Sequence, residues 1–121
     1  MKPFIDTHAH LNDPAFDPDR KQLMESFADA GVALVMNAGC SLESSRQIVE
    51  MAKAWPWLYA SVGSHPDDAD HVNADLVEMY RNLASHPKVV AIGEIGLDYY
   101  WEPMDKPLQK AFFEGQLEIA R

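Results

Sequence analysis

Two histidines separated by a single residue lie near the start of the chain, in the segment Phe4-Ile5-Asp6-Thr7-His8-Ala9-His10. Side chains alternate between the two faces of an extended backbone, so His8 and His10 point to the same side, and Asp6 shares that face. Two imidazoles on one face can bind a divalent metal ion. Neutral histidines with ordinary hydrogen bonds produce the same spacing, so the pair alone leaves both interpretations open.

Two further polar side chains follow apolar, strand-like segments. Alternation in the segment before Gly96 places Val90, Ile92 and Glu94 on one face, with the carboxylate at the end of the strand. His65 directly follows another apolar segment, and the proline after it restricts it to an extended conformation. Glu94 could equally be a solvated loop residue or a helix cap, and His65 a loop residue that caps the next segment.

Apolar, strand-like segments alternate with amphipathic, helix-like segments along the whole chain. The predicted strands are Phe4 to His8, Ala33 to Asn37, Leu58 to Gly63 and Val89 to Glu94. The predicted helices run from about Asp19 to Ala30, from Ser41 to Trp55-Pro56, from about Asn73 to His86-Pro87 and from about Asp105 to the last residue. This order predicts a parallel sheet, either open and doubly wound or closed as a barrel.

The polar residues that could do chemistry follow the strands, which is typical of a (β/α) barrel. An open sheet would be expected to carry a glycine-rich phosphate-binding turn after its first strand, and the sequence has none there. We therefore predict an α/β fold made of the first four βα units of a TIM-type (β/α)8 barrel, with parallel strands and outer helices. A complete barrel typically has about 250 residues, so residues 1–121 are predicted to form its N-terminal half, truncated before strand five.

Composition and charge restrict the class of protein. With 47% hydrophobic and 24% charged residues, the chain is predicted to form a soluble globular domain. A secretory leader and an apolar run of membrane-spanning length are both lacking, which predicts a cytoplasmic protein without a membrane partner. The net charge of −9 argues against a broad basic surface for nucleic acid. An acidic protein can still act on a phosphodiester when metal ions supply the positive charge.

Four segments occur in a fixed order along the chain. They are Phe4-Ile5-Asp6-Thr7-His8-Ala9-His10-Leu11, Val62-Gly63-Ser64-His65-Pro66, Gly93-Glu94-Ile95-Gly96-Leu97-Asp98-Tyr99-Tyr100 and Gln109-Lys110-Ala111-Phe112-Phe113-Glu114-Gly115-Gln116-Leu117-Glu118-Ile119-Ala120. Together they resemble the TatD family of metal-dependent hydrolases, within the wider amidohydrolase-like group of barrel enzymes. The resemblance covers the whole chain.

The resemblance implies one to three divalent ions at the C-terminal mouth of a barrel and a phosphodiester hydrolysis of the DNA 3'-5' exonuclease type, by metal-activated water. By matching positions, His8 and His10 would bind one ion, and Glu94 would bridge two ions and act as the catalytic carboxylate. Mixed nitrogen and oxygen ligands accept Zn, Mn or Mg. The positions that would contact the substrate or support the ligands are Asp6, His65 and Asp98.

The family's remaining ligands, two histidines and an aspartate from later strands, have no counterpart in this chain, which leaves three hypotheses. The chain is a fragment or truncated product of a nuclease acting on DNA or another phosphodiester, inactive or weakly active alone. Alternatively, two half barrels pair through their open edges as a homodimer, or the half barrel is a non-catalytic metal-binding module. The runner-up enzyme class is an amidohydrolase with another substrate, such as a deaminase, which commonly has a lysine where this chain has Glu94.

Overall fold

The computed structural model describes residues 2–71 and 73–121, which form one sheet of four parallel strands in the order β1-β2-β3-β4, with helices between and after them. The strands are β1 (Phe4–Ala9), β2 (Val32–Ala38), β3 (Leu58–Val62) and β4 (Val89–Ile92). The helices are α1 (Arg20–Glu25), α2 (Leu42–Ala54), α3 (Ala74–Ala84) and α4 (Lys106–Ala120). The predicted alternation of strands and helices in a partial barrel is confirmed.

Three of the four helices begin at the residues that their capping side chains predict. Ser41 caps α2 in a capping box, in which its side chain accepts a hydrogen bond from the Ser44 amide and the Ser44 side chain accepts one in return. Asn73 and Asp105 cap α3 and α4 by accepting hydrogen bonds from amides three residues later. Each cap satisfies an amide that the first helical turn leaves without a partner.

The first helix is shorter than predicted. It was expected to cover Asp19 to Ala30, but it ends at Glu25, and residues 26–31 form turns. The Ser26 hydroxyl donates to the Leu23 carbonyl at 2.7 Å, which is the local side-chain bonding that disfavours continued helix. Gly31 then adopts a φ of +82°, a left-handed conformation that ends the turn region as a glycine stop.

The core lies between the sheet and the helices and consists of two groups of buried apolar side chains. The larger group lies between β3 and the helices α2, α3 and α4. Its buried members are Ile48, Val49, Ala60, Val62, Ala69, Tyr80 and Phe112. The smaller group lies beneath α1 and the C-terminal end of α2. Its members are Leu11, Met24, Val35, Ala52 and Leu58. Both groups stabilise the helical face of the sheet by burying apolar surface.

Strand β4 does not alternate as the sequence predicted. Val89 and Ala91 pair with consecutive residues of β3, so Val90 is bulged out of the ladder and is 57% exposed. Val89 and Ile92 consequently both pack towards the helices. The prediction that Val90, Ile92 and Glu94 share one face of a regular strand is therefore wrong, because the bulge separates Val90 from Ile92 and the strand ends at Ile92, before Glu94.

The two outer strands, β1 and β4, each have one neighbour in the sheet. Phe4 is 60% exposed and Ile5 is 61% exposed on β1, and the bulged Val90 is exposed on β4. Open edges with apolar side chains are the surfaces through which strands pair with further strands. None of the described helices combines the length and apolarity needed to cross a membrane.

Tyr80 is fully buried on α3, and its hydroxyl has no hydrogen-bond partner among the described residues. Burial raises the pKa of Tyr80 to about 12 from an ordinary value of 10.0. The Tyr80→Phe variant is expected to keep or gain up to about 1 kcal/mol at pH 8, because it removes an unpaired buried hydroxyl. Urea unfolding at pH 8 measures this difference, with Tyr59→Phe as the control.

The same substitution has an expected signature at high pH. Between pH 10 and 12 the unfolded chain releases the Tyr80 proton while the folded protein retains it, so this residue's contribution to stability falls as the pH rises. Between pH 8 and pH 11 the unfolding free energy of the parent should therefore fall by about 1 kcal/mol more than that of Tyr80→Phe. An identical loss in the two proteins would contradict the raised pKa.

Candidate metal centre

Nitrogen and oxygen atoms from the ends of β1 and β4 converge on one point. His8 Nε2 lies 3.2 Å from His10 Nε2, and both nitrogens lie 3.5 Å from Glu94 Oε2. Ligands that bind one tetrahedral ion at about 2.1 Å are separated by about 3.4 Å. The triangle therefore has the size and donor atoms that suit a single divalent ion, and its partial exposure gives that ion access to solvent.

The second ring nitrogen of His10 is engaged by the backbone. His10 Nδ1 lies 3.0 Å from the carbonyl oxygen of Ala38 at the end of β2. A carbonyl oxygen can only accept, so Nδ1 carries the proton and the Nε2 lone pair is left facing His8 and Glu94. Support of this kind is what orients histidine ligands and fixes their tautomer in metal sites.

Three consecutive carbonyl groups, which begin at the last residue of β2, each contact a residue that follows one of the other three strands. The carbonyl of residue 38 contacts the His10 ring, that of residue 39 accepts from the Glu94 amide at 2.7 Å, and that of residue 40 accepts from the His65 amide at 2.8 Å. We refer to the carbonyls of residues 38–40 as the β2 carbonyl row. The relative positions of His10, Glu94 and His65 are therefore fixed by one short stretch of backbone.

Asn37, one residue before this row, is fully buried and anchors the segment after His10. Its Oδ1 accepts a hydrogen bond of 2.7 Å from the Leu11 amide. The Asn37→Ala variant is expected to lose about 1–3 kcal/mol of unfolding free energy, because a buried amide would be left without an acceptor. Urea unfolding measures the loss. The exposed Asn82→Ala on α3 is the control and should change stability by no more than about 0.5 kcal/mol; equal effects would contradict the anchoring role.

Asp6 lies on the same strand but turns its carboxylate to the backbone. Its Oδ1 accepts a hydrogen bond of 3.0 Å from the His8 amide, and the residue is exposed. This contact holds the backbone that carries the first histidine. A role for Asp6 in supporting the ligands or contacting the substrate stays a prediction.

The other two predicted site residues, His65 and Asp98, come together in a second cluster. Ligand atoms of His65, Asp67 and Asp98 all lie within 4.8 Å of one another. The Asp67 amide donates to His65 Nδ1 at 3.3 Å, and its carboxylate lies 3.5 Å from the same nitrogen. The sequence reasoning missed Asp67, although its position two residues after His65, across a proline, was a usable signal.

Two buried glutamines on α4 hold the loops that carry this cluster, and their role was also missed. Gln109 accepts a hydrogen bond from the Asp98 amide and donates one to the Asp98 carbonyl. Gln116 makes the same pair of bonds to Ser64, the neighbour of His65. Their spacing of seven residues places both on one face of the helix, and that spacing was the available signal.

Comparison with known proteins decides the family. The model of the family described as TatD related DNase matches residues 5–121 of the chain. This chain belongs to the TatD-related DNase family. The TatD family includes metal-dependent hydrolases and nucleases, and the His8, His10 and Glu94 cluster is one of two clusters of described residues that could hold a metal ion.

Several relatives support the same TatD assignment. The uncharacterized metal-dependent hydrolase YabD of Bacillus subtilis is 35% identical over 97% of this chain and 46% of its own length. The 3'-5' ssDNA/RNA exonuclease TatD of Pectobacterium parmentieri is 34% identical over 96% of this chain and 45% of its own length. This TatD-family chain thus spans about half the length of the curated relatives it matches.

The crystal structure of YjjV, a TatD homologue from Escherichia coli K12, has the same fold over nearly the whole chain. It superposes with a TM-score of 0.86 at 30% identity and covers 97% of this chain and 46% of the YjjV chain.

Proposed function

We propose that residues 1–121 supply the first ligands of a metal centre that hydrolyses the phosphodiester bonds of single-stranded DNA or RNA from the 3' end. The triangle of His8, His10 and Glu94, with its separations of 3.2 and 3.5 Å, is the single observation that carries this proposal. The printed names of the exonuclease relatives supply the substrate class.

Each of the three residues has a proposed role in binding metal ions. His8 and His10 would hold one ion, with His10 oriented by the Ala38 carbonyl. Glu94 would hold the same ion and, as the family resemblance implies, would be shared with a second ion. A divalent ion here would lower the pKa of a water molecule and offset the charge of the phosphate. The donor set accepts Zn, Mn or Mg.

The charge of the chain leaves the attraction for phosphate groups to the metal centre. With a net charge of −9, the surface repels a phosphate backbone at long range. The attraction for phosphate must therefore arise locally, at the metal centre. Asp6, His65 and Asp98 are proposed to support the ligands or to contact the substrate, with His65 as the member of this group that can donate to a phosphate oxygen.

A chimera tests the proposal, because the family ligands expected from later strands, two histidines and an aspartate, lie outside this chain. Residues 1–121 would be joined to the part of YjjV that follows the matched region, and hydrolysis of a 5'-labelled single strand would be measured with added Zn, Mn or Mg. The chimera is expected to shorten the strand, whereas the same chimera with His8→Ala or Glu94→Gln should be slower by at least about a hundredfold.

The outcomes separate the hypotheses. A folded, metal-loaded chimera that leaves DNA and RNA intact but hydrolyses a cyclic amide would replace the nuclease function with the amidohydrolase alternative. A chimera that binds metal and hydrolyses neither substrate would favour the non-catalytic metal-binding module.

A homodimer of half barrels is the second candidate, because apolar side chains are exposed on both open edges of the sheet. Pairing would cover Phe4 and Ile5 on β1 and Val90 on β4, and would double the three ligands. Sedimentation equilibrium of the 121-residue chain tests this candidate. A folded species that stays monomeric at high concentration would remove it.

A further inference from the structure

Three consecutive aromatic residues in the loop between β4 and α4 are exposed. Tyr99 is 48% exposed, Tyr100 is 79% exposed and Trp101 is 61% exposed. We refer to these three residues as the aromatic loop. Large aromatic side chains in succession are costly to leave in water, since each carries an apolar ring that burial would stabilise. A contiguous exposed patch of this kind marks a binding surface.

The rings of the aromatic loop do not stack face to face on one another, and all three residues stay partly exposed. Tyr100 and Trp101 meet edge to face, with centroids 4.8 Å apart and planes at 87°. One ring therefore contacts the other by its edge and not by stacking on its face. The Lys106 ammonium lies over the Tyr99 ring, 5.2 Å from its centre, and Tyr99 nevertheless stays 48% exposed.

The aromatic loop lies close to the metal centre along the chain and beside the second cluster in space. Tyr99 follows Glu94 by five residues, so their Cα atoms lie within about 18 Å of each other even if the chain were fully extended. Trp101 lines the same cleft as Asp98 and Asp67. A single-stranded nucleic acid whose end lies at Glu94 could therefore reach the aromatic loop with bases only a few nucleotides from that end.

The local charge decides which partner suits this surface. Glu102 and Asp105 flank the aromatic loop, and Lys106 lies 3.8 Å from Glu102, which leaves little positive charge for phosphates. A double helix hides its bases and offers mainly phosphates, so it gains nothing from these rings. Unpaired bases offer flat, uncharged faces and stack on aromatic side chains without regard to sequence.

We propose that Tyr99, Tyr100 and Trp101 form a base-stacking platform for the unpaired bases of a single-stranded nucleic acid whose end lies at the His8, His10 and Glu94 centre. The proposal rests on the proposed function for its substrate class and adds the residues that bind the bases. On this platform stacking provides most of the affinity, and the metal centre provides the phosphate contact.

Binding without hydrolysis tests the platform. The 121-residue chain would be titrated, in chelator and without added metal, into a fluorescently labelled thymidine octamer and into a matched octamer of abasic sugar-phosphate units, with polarization as the readout. Tyr100→Ala and Trp101→Ala are each expected to raise the Kd for the thymidine octamer by about 5- to 100-fold. The abasic octamer should bind the parent at least about fivefold more weakly.

Two control variants distinguish the loss of a stacking ring from a general loss of structure. Trp101→Phe keeps a stacking face and should stay within about threefold of the parent. Phe4→Ala removes an aromatic ring that is 60% exposed at the opposite end of the sheet, and it should leave the Kd unchanged. Raising the salt from about 50 to about 200 mM should weaken binding less than about tenfold, because few phosphates are neutralised.

Three results would overturn the platform. They are an unchanged Kd in both alanine variants, an abasic octamer that binds as well as the thymidine octamer, and loss of octamer binding in the YjjV chimera because the added half covers Trp101. Failure of the proposed function would give a different result. The chain would still bind the octamer through these rings, but the metal-loaded chimera would hydrolyse nothing. That result would overturn the nuclease activity alone.

Discussion

Replacing Glu94 by glutamine is expected to weaken the binding of a divalent ion by at least about a hundredfold. Glu94 supplies one of the three converging atoms that could hold an ion, and the only negative charge among them. Loss of residues that merely support ligands already costs about 10- to 100-fold in metal affinity, so loss of a ligand should cost at least that. Calorimetric titration of the 121-residue chain with Zn, Mn and Mg in turn measures the effect.

Two further variants complete this experiment. His10→Ala should weaken binding to a similar extent, because it removes the ligand that the β2 carbonyl row orients. Glu50→Gln makes the same change of charge on the exposed face of α2 and should leave the affinity unchanged. Equal stoichiometry and affinity in the parent, Glu94→Gln and His10→Ala would remove these residues as ligands.

Replacing Gly63 by alanine should destabilise the protein and disturb the metal centre together. A Cβ atom at Gly63 would lie 2.8 Å from the Gly93 carbonyl carbon and 3.0 Å from the Glu94 carbonyl oxygen, both backbone atoms that cannot rotate away. Forcing an extra carbon into such packing costs about 1–3 kcal/mol. Urea unfolding should report that loss, and metal titration should report weaker binding because the backbone of Glu94 is displaced.

Gly115 provides the matched glycine-to-alanine control. A Cβ atom there would lie 3.5 Å from Val77 Cγ2, an ordinary van der Waals distance. Since Gly115 lies inside α4, Gly115→Ala should raise the unfolding free energy by about 0.5–1 kcal/mol and leave metal binding unchanged. If Gly63→Ala proved as stable as the parent, the close packing of β3 against the Glu94 backbone would be contradicted.

The sequence was sufficient to predict those features of the fold that depend on local patterns. The side chains of Ser41, Asn73 and Asp105 mark the starts of three helices because capping involves only the next three residues. The end of α1 and the bulge at Val90 could not be predicted in this way. A bulge depends on how β4 pairs with β3, and that pairing is set by contacts between residues far apart in the chain.

The candidate site also contains some features that local sequence patterns predict and others that depend on contacts between distant residues. The approach of His8 to His10 follows from a spacing of two in an extended strand, and the family resemblance selected Glu94 as their companion. The contacts of Asp67, Gln109 and Gln116 arise only when the loops after β3 and β4 pack against α4. The position of Asp67 after His65 and the seven-residue spacing of the glutamines were local signals, but neither shows which loop packs against α4, so the contacts were found only in the structure.

The β2 carbonyl row also links the opening motions of the site. The amides of His65 and Glu94 donate to adjacent peptide groups of one strand end, so neither can be released by a movement of β2 without releasing the other. In native-state hydrogen exchange the two amides should therefore exchange deuterium with the same opening free energy, as members of one cooperative unit. The histidine ring, the carboxylate and the second cluster would then be assembled or lost in a single step.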